Sequence, residues 1–141
     1  MPCPFFEPQH LIENRAHTGA RFPLIREYGG LCHAHEGQPV TAPAERRFDC
    51  NHGYSRDTCP HFPARESRSA VRYSVTQEST EKLDLLCIEE AGYAPLQWHA
   101  LRYETAGDRL EPGPVSRCVE AQALAFCRGY LQLSKILNVN E

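Results

Sequence analysis

VRYSVTQ, residues 71 to 77, is the stretch on which the fold turns. Val71, Tyr73 and Val75 alternate with Arg72, Ser74 and Thr76, the period of two expected of a half-buried strand. A lone strand leaves its backbone N–H and C=O groups unpaired, so neighbours are required. LDLLCIEE (83–90) and LQWHALRYE (96–104) follow through the short connections ESTEK and AGYAP and are read as two more strands. Helical readings compete for both, since Leu83, Leu86 and Cys87 also fit a helix and Pro95 suits a helix start.

Beyond these strands the pattern changes period. After Gly113-Pro114, the residues Val115, Val119, Ala123, Phe126, Tyr130, Leu133 and Leu137 step by four and three. At 3.6 residues per turn they form one apolar stripe. The chain from 71 to 141 is therefore expected to be α+β: a small antiparallel sheet of about three strands covered by a C-terminal amphipathic helix.

Residues 1 to 70 read differently. Eight of the eleven prolines and six of the seven histidines lie there. HLIENRAH suggests a short helix around residues 9 to 17, and RFPLIREYGG a turn ending at Gly29-Gly30. The remainder reads as loop, which in a compact domain needs something to fix it, because ordering each residue costs about 1–2 kcal/mol of backbone entropy. At 141 residues the two parts are expected to pack as one domain.

Composition narrows the function. A net charge of -3 is mild and argues neither for a nucleic-acid footprint nor for an acidic tail. MPCPFFEPQHLIENR has no basic segment followed by an apolar run, and no apolar stretch reaches membrane-spanning length. The expectation is a soluble cytoplasmic protein without a nucleic-acid or membrane partner. Thirteen of the fifteen basic residues are arginine, which genome composition explains as well as any site does. Arg46, Arg47, Arg56, Arg65, Arg68 and Arg72 gather near two cysteines but are largely offset by Glu45, Asp49, Asp57 and Glu66, as in a solvated surface.

Seven cysteines, an odd count, disfavour a disulfide framework in a reducing compartment. Cys87, Cys118 and Cys127 sit in periodic elements and are read as small buried hydrophobes. Cys118 and Cys127, nine residues apart on one helix, point about 180° from each other and cannot share an ion. Cys3, Cys32, Cys50 and Cys59 lie in the loop-rich part and are the candidate metal ligands.

Structural zinc sites take ligands as close pairs two to four residues apart. Here 28, 17 and 8 residues intervene. A cubane presents four corners, so four separate segments can each supply one thiolate. The expectation is one [4Fe–4S] cluster on Cys3, Cys32, Cys50 and Cys59, with zinc as the alternative. CPFF (3–6) and CPHF (59–62) contain a Cys-Pro dipeptide that resembles the end of bacterial ferredoxin cluster motifs. That resemblance covers the dipeptide alone and carries over neither ferredoxin fold nor function. Proline would stiffen the turn beside each ligand, and Phe5, Phe6 and Phe62 would keep water from the sulfurs.

His33, His35 and His52 lie near the cysteines in sequence and are possible substitute ligands. No phosphate loop, nucleophile elbow or His-Glu zinc-protease helix is present. Three functions follow as expectations: a small iron–sulfur protein for electron transfer or redox sensing with an unidentified redox or protein partner, a zinc-stapled interaction module, and a thiol enzyme using Cys32 beside local histidines and Glu36.

Overall fold

The computed structural model describes residues 2–12, 23–35, 37–111 and 116–139, the last five of these as backbone only. The chain is α+β, with two antiparallel sheets and a C-terminal helix. The first sheet has the order β1-β2-β3, with β1 Phe6–Leu11, β2 Tyr28–Cys32 and β3 Val40–Thr41. A short helix α1, Arg47–His52, follows, flanked by 3₁₀ turns at Ala44–Arg46 and Ser55–Asp57. The second sheet has the order β4-β5-β6-β7, with β4 Ala70–Glu78, β5 Lys82–Ala91, β6 Ala94–Glu104 and β7 Arg109–Glu111. Helix α2 spans Arg117–Val139.

The three strands expected after residue 70 are present and pair in sequence order, and β7 extends the sheet to four. Alternation places Val71, Tyr73, Leu83, Leu85 and Leu101 in one core with Val119, Ala123 and Phe126 of α2. Leu133 departs from the expected stripe and is 44% exposed. Pro114, Val115 and the side chain of Leu137 fall outside the described residues.

The N-terminal part is not the loop segment that its proline content suggested. Residues 9 to 11, expected to begin a helix, belong to β1, and residues 13–17 of that expected helix lie outside the described residues. Gly29 and Gly30 are not a turn but the middle of β2, opposite His10 and Pro8. Their composition misleads because Gly30 serves close approach rather than chain reversal. A Cβ there would lie 2.0 Å from the Glu7 carbonyl oxygen, so only glycine allows the bulged pairing between Pro8 and His10.

Helix α2 packs against β1 as well as β4 and β7. This explains why two cysteines on opposite sides of it are both buried. Cys127 enters the core of the second sheet, whereas Cys118 has Glu7, Cys3 and Cys32 as electrostatic neighbours. Gln122, fully buried, joins the parts: its Nε2 donates to the carbonyls of Cys3 (2.8 Å) and Phe6 (2.7 Å), and its Oε1 accepts from the Tyr73 hydroxyl at 2.9 Å. Val71 N–H donates to the Pro2 carbonyl at 3.0 Å, tying the start of the chain to β4.

Candidate metal centre

Cys3 and Cys59 open two copies of one local motif. In Cys3-Pro4-Phe5-Phe6 the Phe6 N–H donates to the Cys3 carbonyl at 3.1 Å, and in Cys59-Pro60-His61-Phe62 the Phe62 N–H donates to the Cys59 carbonyl at 3.2 Å. Each is a β-turn with proline at its second position, where the fixed φ of proline is already correct. The cysteine at the first position is thereby held beside a phenylalanine at the fourth. Cys32 ends β2, opposite Phe6 on one side and Val40 on the other. Cys50 lies in α1, and its carbonyl accepts from the Cys3 N–H at 3.0 Å.

Helix α1 is too short to hold its place by its own hydrogen bonds. Asn51 anchors it. Fully buried, Asn51 accepts from the Tyr28 N–H at 2.9 Å through Oδ1, and through Nδ2 donates to the carbonyls of Tyr28 (2.9 Å) and Arg47 (2.8 Å). Its amide therefore acts as a strand neighbour to β2 and sets the angle at which Cys50 is presented.

The four cysteines singled out in the sequence line a single cavity of about 20 Å³, walled by Phe5, Phe6 and Phe62. An outer pocket of about 290 Å³ shares Cys32, Cys50, Cys59 and His61 with it and adds His35 and Arg46. Cys3 and Cys50 are buried, while Cys32 and Cys59 are half-buried, so the site has a closed side and an open one. Among the described residues, no group of three or more His, Cys, Asp or Glu side chains could hold a metal ion as they stand.

Of the three candidate histidines, the structure brings only His35 to the site. His33 turns to Glu7, its Nε2 lying 2.7 Å from Oε1. His52 stacks on Phe48 with ring centroids 4.2 Å apart. His35 instead meets His61, with centroids at 5.0 Å. His61 lines both cavities and was not among the candidates, although its place two residues after Cys59 was a usable signal. Ser55, another wall residue, carried no sequence signal at all.

An aromatic and cationic layer covers the closed side. Phe5 and Phe62 meet edge to face at 5.6 Å. The Arg56 guanidinium lies 5.1 Å from the Phe62 ring and that of Arg68 5.5 Å from Phe5. Arg68 also pairs with Glu66 at 2.9 Å and with buried Glu89 at 3.0 Å, which fixes it in place. Two cations held over the rings would offset negative charge gathered on the sulfurs.

No family model, curated protein or solved structure matches this chain. Its site must be read from its own chemistry.

Burial dominates that chemistry. It pushes the Cys3 thiol up to about 11 and Cys50 up to about 12, and the neighbouring cysteines add to both shifts. Cys32 is raised too, first by burial, which works against its use as a nucleophile because nucleophilic cysteines need a lowered pKa. Cys87, Cys118 and Cys127 are pushed up to about 12 by burial. Each of these groups is neutral in the fold at a pH where the unfolded chain begins to ionise. Their contribution to stability is complete below the ordinary thiol value of 9.0 and is lost as pH rises toward about 12. The metal-free protein is accordingly expected to show a falling urea midpoint from pH 9 upward. A midpoint constant up to pH 11 would contradict the burial of these thiols.

Proposed function

We propose that this protein is a small iron–sulfur protein holding one [4Fe–4S] cluster on Cys3, Cys32, Cys50 and Cys59, for electron transfer or redox sensing. The observation that carries the reading is the gathering of these four thiols, from four separate segments, around one phenylalanine-walled cavity. Structural zinc sites take their ligands as close pairs two to four residues apart, a spacing that these four cysteines lack. A cluster distributes its ligands over several irons, so sulfurs set around a cavity suit it better.

A cluster would have to extend from the inner cavity into the neighbouring pocket. A cavity of about 20 Å³ has room for little more than a water molecule, but the outer pocket adds about 290 Å³ against three of the same cysteines. The cluster would then be shielded by Phe5 and Phe62 on one side and face His35, His61 and Arg46 on the other. When bound it would supply one-electron chemistry. The chain's own part is to give up the thiol protons of Cys3 and Cys50, exclude water, and balance charge through Arg56 and Arg68.

Metal analysis of protein purified without air tests the proposal. The expected result is a brown sample with about four irons and four sulfides per chain. A colourless sample without iron would end it, and one zinc with no iron would select the zinc-stapled module in its place. No helix among the described residues is long and apolar enough to cross a membrane.

A further inference from the structure

Ser55 stands in the wall of the thiol cavity, 2% exposed, and its Oγ has no hydrogen-bond partner among the described residues. Its carbonyl is doubly engaged, accepting from Cys59 N–H at 2.6 Å and from Thr58 N–H at 3.1 Å. The residue is thus pinned by the same turn that presents Cys59, with its hydroxyl left over. A buried hydroxyl without an acceptor is destabilising, and alanine would serve the packing better. Cys3 lines the same cavity wall and is a candidate acceptor, although the two make no well-formed hydrogen bond. A neutral thiol is a poor acceptor, whereas a metal-bound thiolate or sulfide is a good one.

Resting on the iron–sulfur reading above, we infer that Ser55 Oγ donates a hydrogen bond to a sulfur of the bound centre, either the Cys3 thiolate or an adjacent inorganic sulfide. Ser55 is then a positioning residue that tunes the site, distinct from its ligands. Reduction adds negative charge to the sulfurs, and a fixed donor stabilises the more negative state, so the hydroxyl raises the reduction potential.

The test is Ser55→Ala, with Ser55→Thr as the variant that keeps the hydroxyl. Anaerobic protein would be titrated with dithionite in the presence of mediators, with iron and sulfide measured on the same samples. Ser55→Ala is expected to keep the wild-type iron and sulfide content while its midpoint potential moves to a more negative value, and Ser55→Thr to return it toward wild type. The metal-free Ser55→Ala protein is expected to melt at a higher temperature than wild type, because an unpaired buried hydroxyl has been removed. A merely structural serine would lower that melting temperature and leave the potential alone. Full iron content with an unchanged or more positive potential in Ser55→Ala overturns this inference and leaves the iron–sulfur reading intact. If Ser55→Ala fails to fold, a loaded Ser55→Thr protein whose potential differs from wild type as much as a Ser55→Gly protein's does also overturns it. A wild-type protein that binds no iron overturns both.

Discussion

Cys50→Ala is expected to lose nearly all of its bound iron, together with the visible absorbance of the cluster, while Cys87→Ala keeps both. Cys50 is 9% exposed and, like Cys32 and Cys59, borders both the inner cavity and the outer pocket. Its carbonyl, which accepts the Cys3 amide, survives the substitution, so the local fold should persist. What disappears is one of four thiolates, and a cubane deprived of a ligand loses an iron corner to solvent. Cys87 is fully buried and belongs to the core of the second sheet.

Cys118→Ala is the sharper control. Its sulfur is an electrostatic neighbour of both Cys3 and Cys32, yet it sits on α2 and does not line the cavity. Iron content per chain, read beside circular dichroism, decides the matter. Should Cys118→Ala lose its iron while Cys50→Ala retains it, the fourth ligand would be Cys118 and the proposed set would be wrong.

Gln122→Leu is expected to cost the protein about 2–4 kcal/mol of stability, a large effect for a single substitution. Leucine matches glutamine in size and suits a buried helical position, so packing alone predicts a mild change. Polar bookkeeping predicts otherwise. The Phe6 carbonyl loses the Nε2 donor that satisfies it, the Cys3 carbonyl keeps only the Phe6 N–H at 3.1 Å, and the Tyr73 hydroxyl loses its shorter acceptor, keeping only the Val119 carbonyl at 3.3 Å. Each stranded buried group costs about 1–3 kcal/mol. Urea unfolding of the metal-free protein measures the effect, with exposed Gln132→Leu as the control expected within about 0.5 kcal/mol of wild type. A Gln122→Leu midpoint equal to that of the control would show that the two carbonyls find other donors. Because the same amide holds the turn that carries Cys3, iron loading should fall together with stability.

The parts of the molecule legible in the sequence are those whose neighbours are close along the chain. VRYSVTQ alternates cleanly, and β5 and β6, expected because that strand needs pairing neighbours, follow it within a few residues. Val119, Ala123 and Phe126 keep the helical period and are buried as that period requires. The first sheet was not legible. Its strands carry proline, histidine and a glycine pair, residues that ordinarily mark turns. Only the approach of Gly30 to the Glu7 carbonyl explains why glycine is needed inside a strand.

The candidate site divides along the same line. Position in the loop-rich part made Cys3, Cys32, Cys50 and Cys59 the candidates, and periodic surroundings set Cys87, Cys118 and Cys127 aside; the structure places the first four around one cavity. The histidines could not be sorted that way, since the Glu7 that holds His33 lies 26 residues distant and nothing local foretells the pairing. Nor could Asn51, Gln122 or Ser55, whose importance rests on what their polar atoms meet or fail to meet once buried. What the sequence determined by itself was periodicity and donor type, both properties of neighbouring residues. What the tertiary structure alone decided was convergence: intervals of 28, 17 and 8 residues carry no distance until the backbone pairing of β1 with β2 and the clamp of Asn51 on Tyr28 close those loops.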